Sequence, residues 1–339
     1  MYKVFLIGLG NAGLLYEFDP KRKKPASHYG GILSFPEQLK LSGVCDINPQ
    51  KKQIFEKIGI DIPFFENYKK GIEEVNPDII TIASWTNTHK EIFLYALKRG
   101  VKGIVLEKPI AKNLKDADEM LEAWENYKIP VIVNHERRWD SRYVFLKKVI
   151  DEEQIGKIKT VYGRVLLGKI PEEYEEEILK IEGGGPLLHD GTHLIDIFHY
   201  LFGKLKIEYV SIEKSSKLEN RVIALLYSES NKIPIFMEAG GERNYFHFSV
   251  EVEGTRGKII VGNGISEIYE TQESRLYSGF YDLIKVKFPF EKLAKSRAFD
   301  GPYYEIIKAI EENNPTPYSG FLDGYYSLKV IEEIYSFNK

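Results

Sequence analysis

The chain has a single cysteine, Cys45, in 339 residues. An internal disulfide is therefore excluded, and the chain fits a reducing compartment. Nowhere do about eighteen apolar residues run together, so no segment reads as a membrane-spanning helix. A basic block is missing too. The 47 Lys and Arg are interspersed with 50 Asp and Glu, for a net charge of −3. Without a concentrated positive field, nucleic acid is excluded as the main partner. The first residues, MYKVFLIG, are strand-like rather than a basic-then-apolar leader, so the expected location is cytoplasmic.

What is present is an ordinary globular composition, 43% hydrophobic and 29% charged, at a length that suits two domains. The 22 Tyr and 19 Phe are read as core and sheet packing rather than as a binding feature. Short β-branched and aromatic runs mark buried strands at Lys3–Gly8, at the segment ending in Asp46, at Asp78–Ser84, at Val101–Leu106 and at Pro130–Asn134. Helical stretches are expected at Gly31–Lys40, after Ser84 and at Ala117–Tyr127, with Asp19–Lys24 (DPKRKK) as a surface insertion.

The first strand runs into GLGNAG. Gly8, Gly10 and Gly13 form a GxGxxG in the strand-to-turn context that a dinucleotide site demands. Gly8 permits the tight turn, Gly10 lets a pyrophosphate approach the backbone, and Gly13 allows close packing; Asn11 and Ala12 complete the loop. Asp46, ending the second strand, is placed to bind a ribose and to repel a 2′-phosphate. Lys51 and Lys52 come only after Asn48–Pro49, so NAD is favoured over NADP. Lys108 lies in EKPIA at a strand's C-terminal edge, where open α/β sheets bind ligands.

A second concentration of chemistry is GGGPLLHDGTHLIDIFHYLF, residues 183–202. Pro186 suits a first helical turn and Gly203 a stop. At 3.6 residues per turn, His189, His193 and Asp196 share a face opposite an apolar side that includes Leu194 and Phe198. HxxxH is also zinc-ligand spacing, with Asp196 as a third ligand, but no cysteine is nearby and no metal is expected. From Lys157 onward the chain reads as strands separated by turn residues, with helices only around His193 and near the C-terminus. The expected architecture is α/β followed by α+β: residues 1–134 form a Rossmann domain, and residues 135–339 a domain on a large, mostly antiparallel open sheet.

GLGNAG, DIITIASWTNTHKEIFLYALKRG, EKPIAKN and GGGPLLHDGTHLID occur in the order found in the Gfo/Idh/MocA family of NAD(P)-dependent oxidoreductases, named for glucose-fructose oxidoreductase and inositol dehydrogenase, and the chain resembles that family throughout its length. The resemblance implies interconversion of a secondary alcohol and a ketone on a sugar, cyclitol or sugar derivative. It makes Lys108 the residue that positions the reacting hydroxyl and His193 the proton acceptor, with His189 as a second acid/base candidate. Glu107 and Pro109 hold the lysine turn, with a cis peptide before Pro109 an open possibility. Ser84, Trp85, Asn87 and His89 form the loop expected beside the cofactor. Asp190, Asp196, Arg138, Trp139 and Arg164 are the substrate candidates, with an interdomain ion pair the equal alternative for Arg138 and Arg164.

Two departures stand out. His189 occupies the family's usual aspartate position, with aspartate moved to Asp190, and Trp85 replaces a proline. The resemblance also implies a homo-oligomer, dimer or tetramer, formed through the open sheet. Two other classes stay open: an NAD-dependent, redox-assisted glycoside hydrolase or lyase, and a non-catalytic dinucleotide sensor.

Overall fold

The computed structural model describes residues 1–214, 217–293 and 295–337. The chain divides into two compact units. The first comprises Met1–Glu136, Ile181–Gly183 and Arg297–Leu328; the second comprises Arg137–Lys180, Gly184–Ser296 and the chain from Lys329. The first crossing falls at 136/137, and residues 181–183 and 297–328 return to the first unit. The reason is apolar: Phe321 stacks on Phe93 with ring centroids 5.2 Å apart and lies against Trp124, so this stretch completes the first unit's core.

In the first unit, strands β1 (Tyr2–Ile7), β2 (Leu39–Cys45), β3 (Phe64–Phe65), β4 (Ile79–Ile82), β5 (Gly103–Leu106) and β6 (Val131–Val133) form one parallel sheet in the order 3-2-1-4-5-6. That is the doubly wound dinucleotide-binding topology. Val4, Phe5 and Leu6, Ile79 and Ile80, and Ile104 to Leu106 are fully buried, as parallel strands covered on both faces must be. Helices α1 (His28–Leu33), α2 (Lys52–Lys57), α3 (Tyr68–Val75), α4 (Thr86–Lys98) and α5 (Leu114–Tyr127) connect them. Side chains cap the starts: Asn67 accepts from the amides of Lys69 and Lys70, and Asn113 from that of Asp116.

The helix expected at Gly31–Lys40 is shorter and earlier. It ends at Leu33, before Pro36, and Lys40 is already in β2. Its start explains the insertion. The amides of His28 and Tyr29 donate to the carbonyls of Ala12 and Gly13 at 2.8 and 3.0 Å, so α1 continues the turn begun at Gly10 across a loop. Glu17 closes that loop by accepting from the Ala26 amide and the Ser27 hydroxyl, both at 2.9 Å.

The second unit contains α6 (Ser141–Asp151), β7 (Ile158–Leu166), the helix α7 (Glu172–Ile181), α8 (Thr192–Phe202) and strands β8 (Leu205–Lys214), β9 (Glu219–Ser228), β10 (Pro234–Gly240), β11 (His247–Gly254), β12 (Gly257–Gly262), β13 (Ile265–Glu273) and β14 (Tyr281–Val286). The last residue of α7, Ile181, is counted with the first unit. These strands form an eight-stranded sheet ordered 14-13-12-11-7-10-9-8, antiparallel except where β7 meets β10. This is the mostly antiparallel open sheet that the sequence led us to expect. Two helices, α6 and α7, were not anticipated. Few of their residues are buried: Tyr143, Leu146 and Val149 on α6, and Glu175 on α7. The helices α9 (Gly301–Glu311) and α10 (Phe321–Ser336) close the chain.

Candidate active site

The glycine turn fits a dinucleotide. Gly8 has φ +94°, and a Cβ there would overlap the Ala83–Ser84 backbone; one on Gly13 would overlap the Gly8 carbonyl oxygen. A Cβ on Gly10 would meet nothing within 4 Å. The outer two glycines are thus demanded by the protein itself. The middle one is not, and it leaves the backbone open to an approaching group. Asn11 is exposed and Ala12 partly so. Asp46 braces this turn from β2: its Oδ2 accepts from the Leu9 amide at 2.8 Å and its Oδ1 from the Asn48 amide at 2.8 Å.

Around β4 and β5 the expected loop residues converge on the lysine turn. The Lys108–Pro109 peptide is cis, and Lys108 is half-buried. His89 is buried, with Nδ1 3.0 Å from the Pro109 carbonyl and Nε2 3.0 Å from that of Ser84, so it joins the loop after β4 to the cis-proline turn. Burial lowers its pKa, and a neutral ring can donate to only one of those carbonyls. Ser84 Oγ lies 2.7 Å from Thr88 Oγ1, Asn87 is exposed, and Trp85 presents its indole to solvent at 59% exposure. The Thr86 hydroxyl donates to Glu182.

Glu107 turns back into the unit. Its Oε1 accepts from Asn134 Nδ2 at 2.7 Å and lies 2.8 Å from His28 Nε2, and its Oε2 accepts from the Lys108 amide at 3.2 Å. Burial alone would raise this carboxyl. The His28 contact, the Lys108 charge and the Asn134 amide outweigh it and hold the group down to about 2. His28 in turn places Nδ1 3.0 Å from the Tyr303 hydroxyl, itself 3.0 Å from Thr81 Oγ1. Sequence reasoning missed His28 and Tyr303. The insertion carries His28 away from the glycine turn in sequence, and Tyr303 comes from α9, nearly two hundred residues after Lys108.

In the second unit, the segment holding His189, His193 and Asp196 departs from its expected geometry. Leu187–Gly191 is a π-turn, and α8 begins only at Thr192. The wider turn breaks the 3.6-residue phase, and the three side chains do not share one environment. His189 is exposed, its side chain 52% accessible, with Nδ1 3.1 Å from Asp190 Oδ2. His193 is buried, edge-on to Phe248 with ring centroids 6.4 Å apart. Asp196 is fully buried and takes a forked contact from Arg138: Nε at 3.1 and 2.9 Å from the two carboxylate oxygens, and Nη2 at 2.7 Å from Oδ1. Arg138 also lies 5.4 Å from the Tyr200 ring, one turn further along α8.

Two of the substrate candidates are engaged with one another, and a third lies on the opposite face of the sheet from α8. Arg138 and Asp196 hold one another in a buried ion pair that fixes α8 to the segment before α6. Arg164 is exposed. Its neighbour Gly163 faces Phe198 and Leu194 of α8, so by two-residue alternation Arg164 faces away from that helix. Trp139 is half-buried at the end of a short 3₁₀ turn. Among the described residues, no group of three or more His, Cys, Asp or Glu is arranged to hold a metal ion, and no helix is long and apolar enough to cross a membrane.

Residues 2–135 match the oxidoreductase family with an NAD-binding Rossmann fold, and residues 147–336 match its C-terminal alpha/beta domain. The myo-inositol 2-dehydrogenase of Thermotoga maritima is 23% identical, over 98% of this chain and 96% of its own length. An uncharacterized oxidoreductase of Schizosaccharomyces pombe is 26% identical over 65% of this chain, and the match spans 61% of that protein. In fold, the chain is similar to a levoglucosan dehydrogenase solved with NADH and levoglucosan, with a TM-score of 0.79 and 19% identity over 98% of this chain and 96% of that one. With both parts matched in order, the chain belongs to the Gfo/Idh/MocA oxidoreductase family and carries that family's NAD-binding Rossmann domain.

Proposed function

We propose that the protein oxidises a secondary alcohol of a cyclic polyol or sugar to the ketone, reversibly, with NAD as the redox partner. The observation that carries this reading is the Rossmann sheet with Gly10 open to a pyrophosphate and Asp46 braced beside it, together with Lys108 on the turn that leaves β5. The polyol class follows from relatives named for myo-inositol and levoglucosan.

When bound, the nicotinamide supplies the acceptor for the hydride lost from the carbinol carbon. The chain supplies position and proton handling. We assign Lys108 to hydrogen-bond the alcohol oxygen and stabilise charge developing on it, and His193 to accept the hydroxyl proton. Gly8, Gly10 and Gly13 receive the pyrophosphate, and Asp46 the adenosine ribose, favouring NAD over NADP. His89 and Glu107 hold the two loops that shape the lysine turn. His189 and Asp190 form an exposed pair that we assign to substrate contact rather than to the proton step.

We further propose a cytoplasmic homo-oligomer formed through the sheet of the second unit. On its face away from α8, Tyr162 stacks on Phe236, Phe236 lies opposite Leu225, and Leu225 lies opposite Tyr209. Phe236 and Tyr209 are 43% and 54% exposed, an apolar row suited to a second copy of this chain.

The test is a panel of cyclitols and sugars with NAD+ or NADP+, reading the absorbance of reduced nicotinamide for wild type and Lys108→Ala. Turnover with NAD+ that the variant loses supports the reading. A panel member consumed with no net cofactor reduction would overturn it.

A further inference from the structure

Resting on the reading of Lys108 above, we propose that Tyr303 and His28 are positioning residues: through Glu107 they fix the turn that carries Lys108. The geometry is a single buried line. Thr81, Tyr303 and His28 are each fully buried, and Asn134 nearly so. Their contacts run Thr81 Oγ1 to Tyr303 OH at 3.0 Å, Tyr303 OH to His28 Nδ1 at 3.0 Å, and His28 Nε2 to Glu107 Oε1 at 2.8 Å.

The direction of donation follows from the last member. An ionised Glu107 only accepts, so His28 carries its proton on Nε2. In a neutral ring Nδ1 must then accept, which makes the Tyr303 hydroxyl the donor to His28 and Thr81 the donor to Tyr303. With a protonated ring the Tyr303 contact reverses, and every group in the line has a partner either way.

The far end of the line decides what it can do. Thr81 sits in the middle of a buried strand with no exposure, so the line has no outlet to solvent and cannot deliver protons to the active site. It can orient. Glu107 uses Oε1 on His28 and Asn134 and Oε2 on the amide of Lys108, the residue whose side chain must be aimed. Losing the His28 donor frees half of that grip, and the carboxyl can then take up a proton or rotate away from the Lys108 amide.

The placement of His28 is itself constructed. Glu17 pins Ala26 and Ser27, and α1 restarts on the carbonyls of Ala12 and Gly13, which returns His28 to the back of β5 after the insertion. The charged and titratable groups acting on Glu107 are His28 and Lys108, with His89 and Tyr303 in electrostatic reach.

The test compares wild type, His28→Ala, His28→Gln and Tyr303→Phe. Glutamine can donate to Glu107 and accept from Tyr303 as the neutral ring does. With NAD+ and the panel polyol that turns over, His28→Ala should lose about 10- to 100-fold in kcat. NADH affinity should stay within about twofold, and His28→Gln should recover most of the loss.

The ligand-free protein gives an independent readout. A carboxyl held low in the folded state stabilises above its unfolded pKa, and that contribution fades as pH falls toward its folded pKa. The gap in melting temperature between wild type and His28→Ala should therefore shrink between about pH 5 and pH 2. Tyr303→Phe should show a smaller gap with the same pH trend.

A pH-independent gap, together with no recovery in His28→Gln, would mean packing alone and would overturn the proposal. So would full turnover in His28→Ala beside a dead Lys108→Ala. If Lys108→Ala itself keeps full turnover, the underlying reading of Lys108 fails, and with it the catalytic consequence drawn here.

Discussion

The Arg138–Asp196 pair allows a quantitative test of the second unit. The two side chains are 4% and 1% exposed and meet through three contacts of 2.7 to 3.1 Å. Asp196→Asn keeps the shape but removes the charge that takes these three guanidinium contacts, and breaking a buried pair from one side costs about 3–5 kcal/mol. For a unit of this size, each kcal/mol lowers the melting temperature by about 2–4 °C, so the fall should be on the order of 10 °C. Arg138→Met alone should cost a similar amount, because it breaks the same pair from the other side. The double variant Arg138→Met with Asp196→Leu should recover most of the loss, since a well-packed apolar replacement of a buried pair is often neutral. Differential scanning calorimetry, resolving the two units' transitions, completes the double-mutant cycle. Single variants costing less than about 1 kcal/mol, or strictly additive effects, would refute the buried-pair reasoning. Under the alternative, in which these residues bind substrate, Asp196→Asn would lower turnover and leave the melting temperature in place.

Three further outcomes are expected. Gly10→Ala should fold and melt like wild type yet lose NADH binding by about tenfold or more, whereas Gly13→Ala should destabilise the turn itself; circular dichroism melts and NADH fluorescence titration separate the two. Asp46→Ala should weaken NADH binding and narrow the preference over NADPH, read by parallel titrations, and an unchanged ratio would remove Asp46 from cofactor selection. Burial and the neighbouring Asp46 push the Cys45 thiol up to about 12, so it stays protonated and inert to a thiol reagent at about pH 8 until the first unit unfolds. Rapid labelling of the native protein would contradict that burial.

The Rossmann half was legible because its signals are local. A strand running into GLGNAG, apolar runs at β4 and β5, and EKP after β5 each declare themselves within a few residues. The failures have physical causes. The helix after GLGNAG is split by an insertion, so its second half was placed too late and His28 was not connected to the glycine turn. A π-turn at Leu187–Gly191 adds a residue to the turn, and a 3.6-residue wheel cannot show that His189 faces solvent while Asp196 is sealed against Arg138. The facing of Arg164 is a matter of strand phase, which the packing of Gly163 on α8 shows and a local pattern does not. The return of residues 297–328 to the first unit depends on contacts such as Phe93 with Phe321, which no local pattern encodes.

Hydride transfer from a carbinol carbon to the nicotinamide leaves an isotopic trace. The most direct measurement uses a cyclic polyol deuterated at its carbinol carbons, incubated with the enzyme and NAD+, with the cofactor analysed by mass spectrometry. One deuterium is expected in the reduced nicotinamide for each ketone formed, with no such transfer in Lys108→Ala. Polyol converted without deuterium entering the cofactor pool would contradict it.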